Sequence, residues 1–205
     1  MTQNFELQEN IPLAPLTTLG IGGNARYFVR VETEVQVADG VEFSHANKLP
    51  LFILGGGSNI LVSDNGFDGL VLQIALKGIK SSEFRVQSSE PCTDVVPRPG
   101  TLTSELITAA AGEDWDDFVA HCVEHGLSGV ECLSGIPGFV GGTPVQNVGA
   151  YGQQVAETIV SVRCFDRANR RFVTLSNADC GFSYRTSVFN SSERERYIVL
   201  SVTYA

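Results

Sequence analysis

Residues 51–59 read Leu-Phe-Ile-Leu-Gly-Gly-Gly-Ser-Asn: an apolar run of the kind found in buried strands passes without a polar step into three glycines and two hydrogen-bonding side chains. Glycine permits positive φ and close backbone approach. Successive N–H groups in such a turn converge into a concave, partly positive nest that suits a phosphate or pyrophosphate oxygen. Ser58 and Asn59 add donors at its rim. A tight turn between two strands explains three glycines equally well, so a second feature has to decide.

That feature lies downstream, in Gly135-Ile-Pro-Gly-Phe-Val-Gly-Gly-Thr-Pro-Val-Gln-Asn-Val-Gly-Ala-Tyr-Gly152. Two glycine-rich surfaces can grip one long ligand. Thr143, Gln146, Asn147 and Tyr151 bring uncharged donors and acceptors of the kind that surround a flat heteroaromatic ring. Linkers are poor in apolar residues, whereas this run carries Ile136, Phe139, Val140, Val145 and Val148, so it is expected to be ordered.

A chain of 205 residues with 43% hydrophobic content can bury a core as one large domain or two lobes. No apolar run approaches a membrane span and the start lacks a basic signal region, which points to a cytoplasmic protein. The five cysteines form no C-x-x-C pair and read as small core residues. A net charge of −9 with no basic run argues against nucleic acid and anionic membranes. An anionic nucleotide ligand would then depend on local N–H groups and a few arginines.

Along the chain, residues 25–31, a helix within 33–47 and residues 51–54 predict a β-α-β unit, extended by short strands at 60–62 and 70–74 around a turn at 64–69. The first lobe is set at 1–85 and the second at 86–205, with polar, proline-bearing residues 87–100 as a boundary or insertion. Residues 105–111 favour strand over helix. Trp115, Phe118, Val119, Cys122 and Val123 mark an amphipathic helix ending at Gly126, with Asp114 near its start. Residues 160–165 and 171–175 form a hairpin. Residues 197–204 alternate as a final strand; stopping there hints at a piece of a longer protein, although a terminal strand at a sheet edge is common.

Two motifs carry alternatives. His121-Cys-Val-Glu-His125 formally matches the inverted zinc-peptidase helix, yet its polar residues lie off the apolar face and read as solvated, so no metal site is assigned. Arg185, after Tyr184 in Cys180-Gly-Phe-Ser-Tyr-Arg-Thr-Ser-Val-Phe189, either pairs with an acid to close a loop or presents its fork to a substrate carboxylate.

Taken in order, Thr17-Thr-Leu-Gly-Ile-Gly-Gly23, Leu54-Gly-Gly-Gly-Ser-Asn-Ile60, Ala111-Gly-Glu-Asp-Trp115, Gly129-Val-Glu-Cys-Leu-Ser-Gly-Ile-Pro-Gly138, Gln146-Asn-Val-Gly-Ala-Tyr-Gly152 and Tyr184-Arg-Thr-Ser-Val-Phe189 resemble the blocks of the UDP-N-acetylenolpyruvoylglucosamine reductase (UDP-N-acetylmuramate dehydrogenase) family. The resemblance spans nearly the whole chain. It implies an α+β, two-lobed FAD-binding domain of the p-cresol methylhydroxylase and vanillyl-alcohol oxidase type. It also implies FAD held by Leu54, Gly55, Gly56, Gly57, Ser58, Asn59 and Ile60 on the pyrophosphate side. Ile136, Pro137, Gly138, Gly141, Gly142, Thr143, Gln146, Asn147, Gly149 and Ala150 would line the flavin.

By the same resemblance Arg185 is the catalytic arginine, Tyr151, Tyr184 and Arg185 meet the substrate, and NADPH is co-substrate for reduction of an enolpyruvyl UDP-sugar by a monomer. Phe139 and Asn190 depart from residues usual in the family. The family's serine proton donor and later glutamate belong to a substrate-binding domain not matched here, so turnover by residues 1–205 alone is expected to fail. The competing readings are an FAD oxidase or dehydrogenase of another sugar or alcohol, a non-catalytic nucleotide-binding module, and a zinc hydrolase built on His121 and His125.

Overall fold

In a computed structural model, which describes residues 5–85 and 103–205, local chemistry accounts for most elements. Helix α1 (Glu34–Ala46) starts at Thr33, whose hydroxyl accepts from Gln36 N while the Gln36 side chain accepts from Thr33 N, closing a capping box. Its buried face is Val37, Gly40, Val41 and Ser44. Gly40 sets how closely the helix sits on the sheet, since a Cβ there would lie 2.6 Å from Leu72 Cδ1. Helix α2 (Trp115–Glu124) is capped by Asp114, which accepts from Asp116 N and Asp117 N, and it buries Trp115, Phe118, Val119 and Cys122.

The first sheet has the order β1-β2-β4-β3, built from β1 (Gln8–Pro12), β2 (Asn24–Val31), β3 (Leu51–Leu54) and β4 (Phe67–Ile74). Both β2 and β3 run parallel to β4, whereas β1 is antiparallel to β2. The β-α-β unit is therefore present with β4 inserted between its two strands. Val29, Val31, Leu70 and Leu72 face one core, and Phe28, Leu54 and Val71 face a smaller one on the other side. Burial on both faces explains why these strands read as nearly continuous apolar runs.

The second sheet is antiparallel, ordered β10-β9-β11-β6-β5, from β5 (Ile79–Arg85), β6 (Thr103–Ala110), β9 (Ile159–Asp166), β10 (Arg171–Ser176) and β11 (Tyr197–Tyr204). A short pair, β7 (Gly149–Ala150) and β8 (Gln153–Gln154), lies apart from it. The larger core joins both sheets and both helices. Phe118 and Tyr204 rings pack 4.9 Å apart within it, and Trp115 Nε1 donates to Leu133 O at 2.9 Å. Arg163 clamps the lobes, donating to both carboxylate oxygens of Glu34 at 2.6 and 2.8 Å.

The predicted strand over 105–111, the α2 helix and the 160–175 hairpin are all present. Residues 60–62 are not a strand; Val62 instead packs against Gly22 in the preceding loop. Strand β4 begins at Phe67, inside the expected 64–69 turn. Strand β5 belongs to the second sheet, so the chain passes from one sheet to the other at residues 75–78. Strand β11 is central, flanked by β9 and β6, and is no edge. The expected boundary or insertion at residues 87–100 lies outside the described residues. Among the described residues no helix is long and apolar enough to cross a membrane.

Candidate functional site

Strand β3 ends at Leu54, whose side chain is buried in the smaller core, and delivers the chain into the glycine turn. Ile60 packs against that same core at the turn's far end. Gly57 has φ +70°, and a Cβ there would lie 2.0 Å from Leu16 O, so only glycine fits. Thr18 N donates to Gly57 O at 3.0 Å and ties the turn to the loop after residue 16. Thr18 was not among the predicted site residues; the adjacent Gly20-Ile-Gly-Gly23 run was the available signal.

The two glycine segments meet. A Cβ on Gly56 would be 3.0 Å from Gly138 Cα, Ser58 Oγ donates to Pro137 O at 3.0 Å, and Asn59 Nδ2 donates to Gln146 Oε1 at 3.2 Å. Among the described residues no protein acceptor meets the N–H groups of Gly56, Gly57, Ser58 and Asn59, nor those of Ile136 and Gly138 across from them. Gly57 is buried as well. A buried N–H without a partner is costly, and converging N–H groups have the polarity that suits an anion. Gly55 and Gly142 have open Cα faces, with nothing within 4 Å of an added Cβ.

The second segment is fastened to the turn between β6 and α2. Trp115 N donates to Gly138 O, Val140 N to Glu113 O and Gly141 N to Ala111 O, at 3.0, 2.9 and 2.9 Å. Gly141 is a packing requirement, since its Cβ would be 2.5 Å from Ala111 Cβ. Two predicted ligand groups point elsewhere. Thr143 is buried, donating to Val140 O at 2.8 Å and lying 3.1 Å from the Tyr204 hydroxyl. Asn147, 2% exposed, spends its side chain on Gln154 Oε1, Ser183 O and Ala156 N. Gly149 and Ala150 form β7 and leave Tyr151, at φ +51°, 91% exposed at the end of it.

Arg185 sits in a tight turn closed by reciprocal backbone bonds between Ser183 and Thr186, with Tyr184 beside it and 83% exposed. Its φ of +53° is unfavourable for a side-chain-bearing residue by about 1–2 kcal/mol. Its Nη2 donates to Gly149 O at 2.8 Å, and it has no carboxylate partner among the described residues. The loop-closing acid pair that the sequence left open is thus replaced by a carbonyl, which orients the guanidinium without neutralising it.

The His121 and His125 rings stack 4.1 Å apart on α2, and His125 Nδ1 lies 2.8 Å from His121 O. Among the described residues no three His, Cys, Asp or Glu side chains gather at a metal-binding spacing. Burial pushes the thiols of Cys122 and Cys180 up to about 11 and about 12, in keeping with their reading as core residues, whereas Cys132 is exposed and departs from it.

Residues 25–176 match the family described as FAD binding domain. The chain is 45% identical over 204 residues to the UDP-N-acetylenolpyruvoylglucosamine reductase of Thermobifida fusca, covering 100% of this chain and 52% of that protein. The chain spans about half the length of the curated relatives it matches. A crystal structure of UDP-N-acetylenolpyruvylglucosamine reductase from Thermus caldophilus superposes with TM-score 0.67 at 27% identity, covering 98% of this chain and 62% of that one. A VAO-type flavoprotein from Myceliophthora thermophila shares the fold, with TM-score 0.60 at 16% identity over 89% of this chain and 32% of that one.

Proposed function

The chain belongs to the FAD-binding domain family, and from that premise we propose that it is the FAD-binding portion of a UDP-N-acetylenolpyruvoylglucosamine reductase (UDP-N-acetylmuramate dehydrogenase). Such an enzyme would use NADPH to reduce the enolpyruvyl group of a UDP-sugar in peptidoglycan precursor synthesis, as a cytoplasmic monomer. The observation that carries the reading is the meeting of two glycine segments, residues 55–59 and 136–150, where the N–H groups of Gly56, Gly57, Ser58, Asn59, Ile136 and Gly138 have no acceptor among the described residues.

In this proposal Gly55, Gly56, Gly57, Ser58 and Asn59 hold the pyrophosphate of FAD through main-chain donors. Ile136, Pro137, Gly138, Gly142, Gln146, Gly149 and Ala150 face the remainder. Leu54, Ile60, Gly141, Thr143 and Asn147 support those contacts from behind, because their side chains or Cα faces are occupied by protein. Bound FAD supplies hydride chemistry between NADPH and the carbon–carbon double bond.

Arg185 holds the substrate carboxylate and stabilises the negative charge that builds there as the double bond is reduced. Its lack of a carboxylate partner among the described residues supports that role. Tyr184, next to it in sequence, and Tyr151, two residues past the Gly149 carbonyl it holds, are both exposed and bind the sugar nucleotide. The test follows NADPH oxidation by the enzyme extended past Ala205, with and without the enolpyruvyl UDP-sugar. A substrate-dependent rate is expected; flavin binding with no such rate would favour an oxidase or dehydrogenase of another substrate.

A further inference from the structure

Asn147 is in the left-handed region at φ +44°, which asparagine tolerates better than most residues, and it is almost fully buried. Glycine would satisfy the backbone but could make none of the side-chain bonds. Those bonds run to two separate pieces of chain, residues 154–156 and Ser183. Nδ2 donates to Gln154 Oε1 at 2.7 Å on β8 and to Ser183 O at 2.9 Å, and Oδ1 accepts from Ala156 N at 3.2 Å. Ser183 is the first residue of the turn that carries Arg185.

The Arg185 turn is also held just past its C-terminal edge, where the Ser187 hydroxyl donates to Val145 O at 2.6 Å. Ser183 N and Thr186 N close it internally at 2.9 and 3.1 Å, and Asn190 Nδ2 donates to Arg185 O at 3.2 Å from the C-terminal side. On the N-terminal side the bond from Asn147 fastens it to the glycine-rich segment, while the Arg185 guanidinium reaches Gly149 O two residues beyond Asn147. Backbone and side chain of the turn are therefore both registered against residues 147–149. A turn that keeps an arginine at positive φ needs such external restraint, because relaxation to negative φ would swing the guanidinium away.

We propose that Asn147 is a positioning residue for Arg185, holding the Ser183 carbonyl so that the guanidinium keeps its place relative to the glycine-rich segment. This rests on the reading of Arg185 given above. Asn147→Asp is the sharpest variant: it preserves size and the acceptor for Ala156 N, Gln154 can flip its amide to donate, and the bond to Ser183 O is lost.

In the 205-residue chain, Asn147→Asp should speed hydrogen exchange of the Ser183 and Thr186 amides by about tenfold while β9 and β11 amides stay unchanged. In the extended enzyme it should lower kcat for substrate reduction by about tenfold, with KM and the rate of flavin reduction by NADPH within about twofold. Combined with Arg185→Ala, it should add less than about twofold. Unchanged exchange, or an equal further loss of rate in the Arg185→Ala background, overturns the positioning role while leaving the function of Arg185 standing. Full activity in Arg185→Ala alone overturns both.

Discussion

Ser58 donates its hydroxyl to the carbonyl of Pro137 at 3.0 Å, across 79 residues of sequence, and so joins the glycine turn after β3 to the second glycine-rich segment. Asn59 makes a second bond across the same joint, its Nδ2 donating to Gln146 Oε1 at 3.2 Å. Ser58→Ala should cost about 0.5–1.5 kcal/mol of stability, read by urea denaturation, and weaken FAD binding severalfold. Unaltered FAD affinity would mean that the joint plays no part in the site.

Gly57→Ala tests the backbone of the turn. The added methyl meets Leu16 O and must also adopt positive φ, for which about 1–2 kcal/mol is lost before any clash is counted. Gly55→Ala, whose Cβ enters open space, is the matched comparison and should unfold at nearly the wild-type urea concentration. Its FAD affinity should nevertheless fall, because that space is where the ligand is placed.

Arg185→Ala in the extended enzyme should reduce the rate of substrate reduction at least a hundredfold, on the scale of removing one positioned donor to developing charge, while sparing flavin reduction by NADPH. Stopped-flow absorbance separates the two half-reactions. Equal losses in both would contradict the assigned role.

Asp166 gives the fold an acid-sensitive joint. Hydrogen bonds from Arg196, followed by those from Asn169, hold its buried carboxyl well below the usual carboxylate range. A depressed folded-state pKa stabilises the protein above the unfolded value of about 4, and that stabilisation is lost as pH falls toward the folded value. Asp166→Asn should therefore lower Tm at pH 7, with the gap to wild type narrowing below about pH 4. A gap independent of pH would show that the charge contributes nothing.

Much of this architecture was legible from residue patterns. Ile198, Leu200, Val202 and Tyr204 are all buried, and their spacing announced β11; the apolar run into Gly55 announced β3 and its turn. Strand β1, Gln-Glu-Asn-Ile-Pro, carries no alternation because it is an exposed edge held by its pairing with β2. Strand β5 hid its allegiance for a related reason: sequence gives a strand's propensity, while its partner is chosen by the tertiary fold. At the site, residue type gave no direction for the polar side chains. Thr143 turns to Tyr204 and Asn147 to Ser183, orientations that depend on neighbours far along the chain. The pairing of Arg185 with the Gly149 carbonyl was equally invisible, being a property of what surrounds it.

The central claim is that FAD lies against both glycine segments at their meeting point, and a flavin-fluorescence titration of the purified chain tests it most directly. Wild type should bind one equivalent of FAD. Gly56→Leu, which pushes the turn off Gly138, should keep its fold by circular dichroism and lose at least tenfold in affinity. Failure of the wild-type chain to bind FAD, or binding indifferent to the Gly56 side chain, would contradict the account.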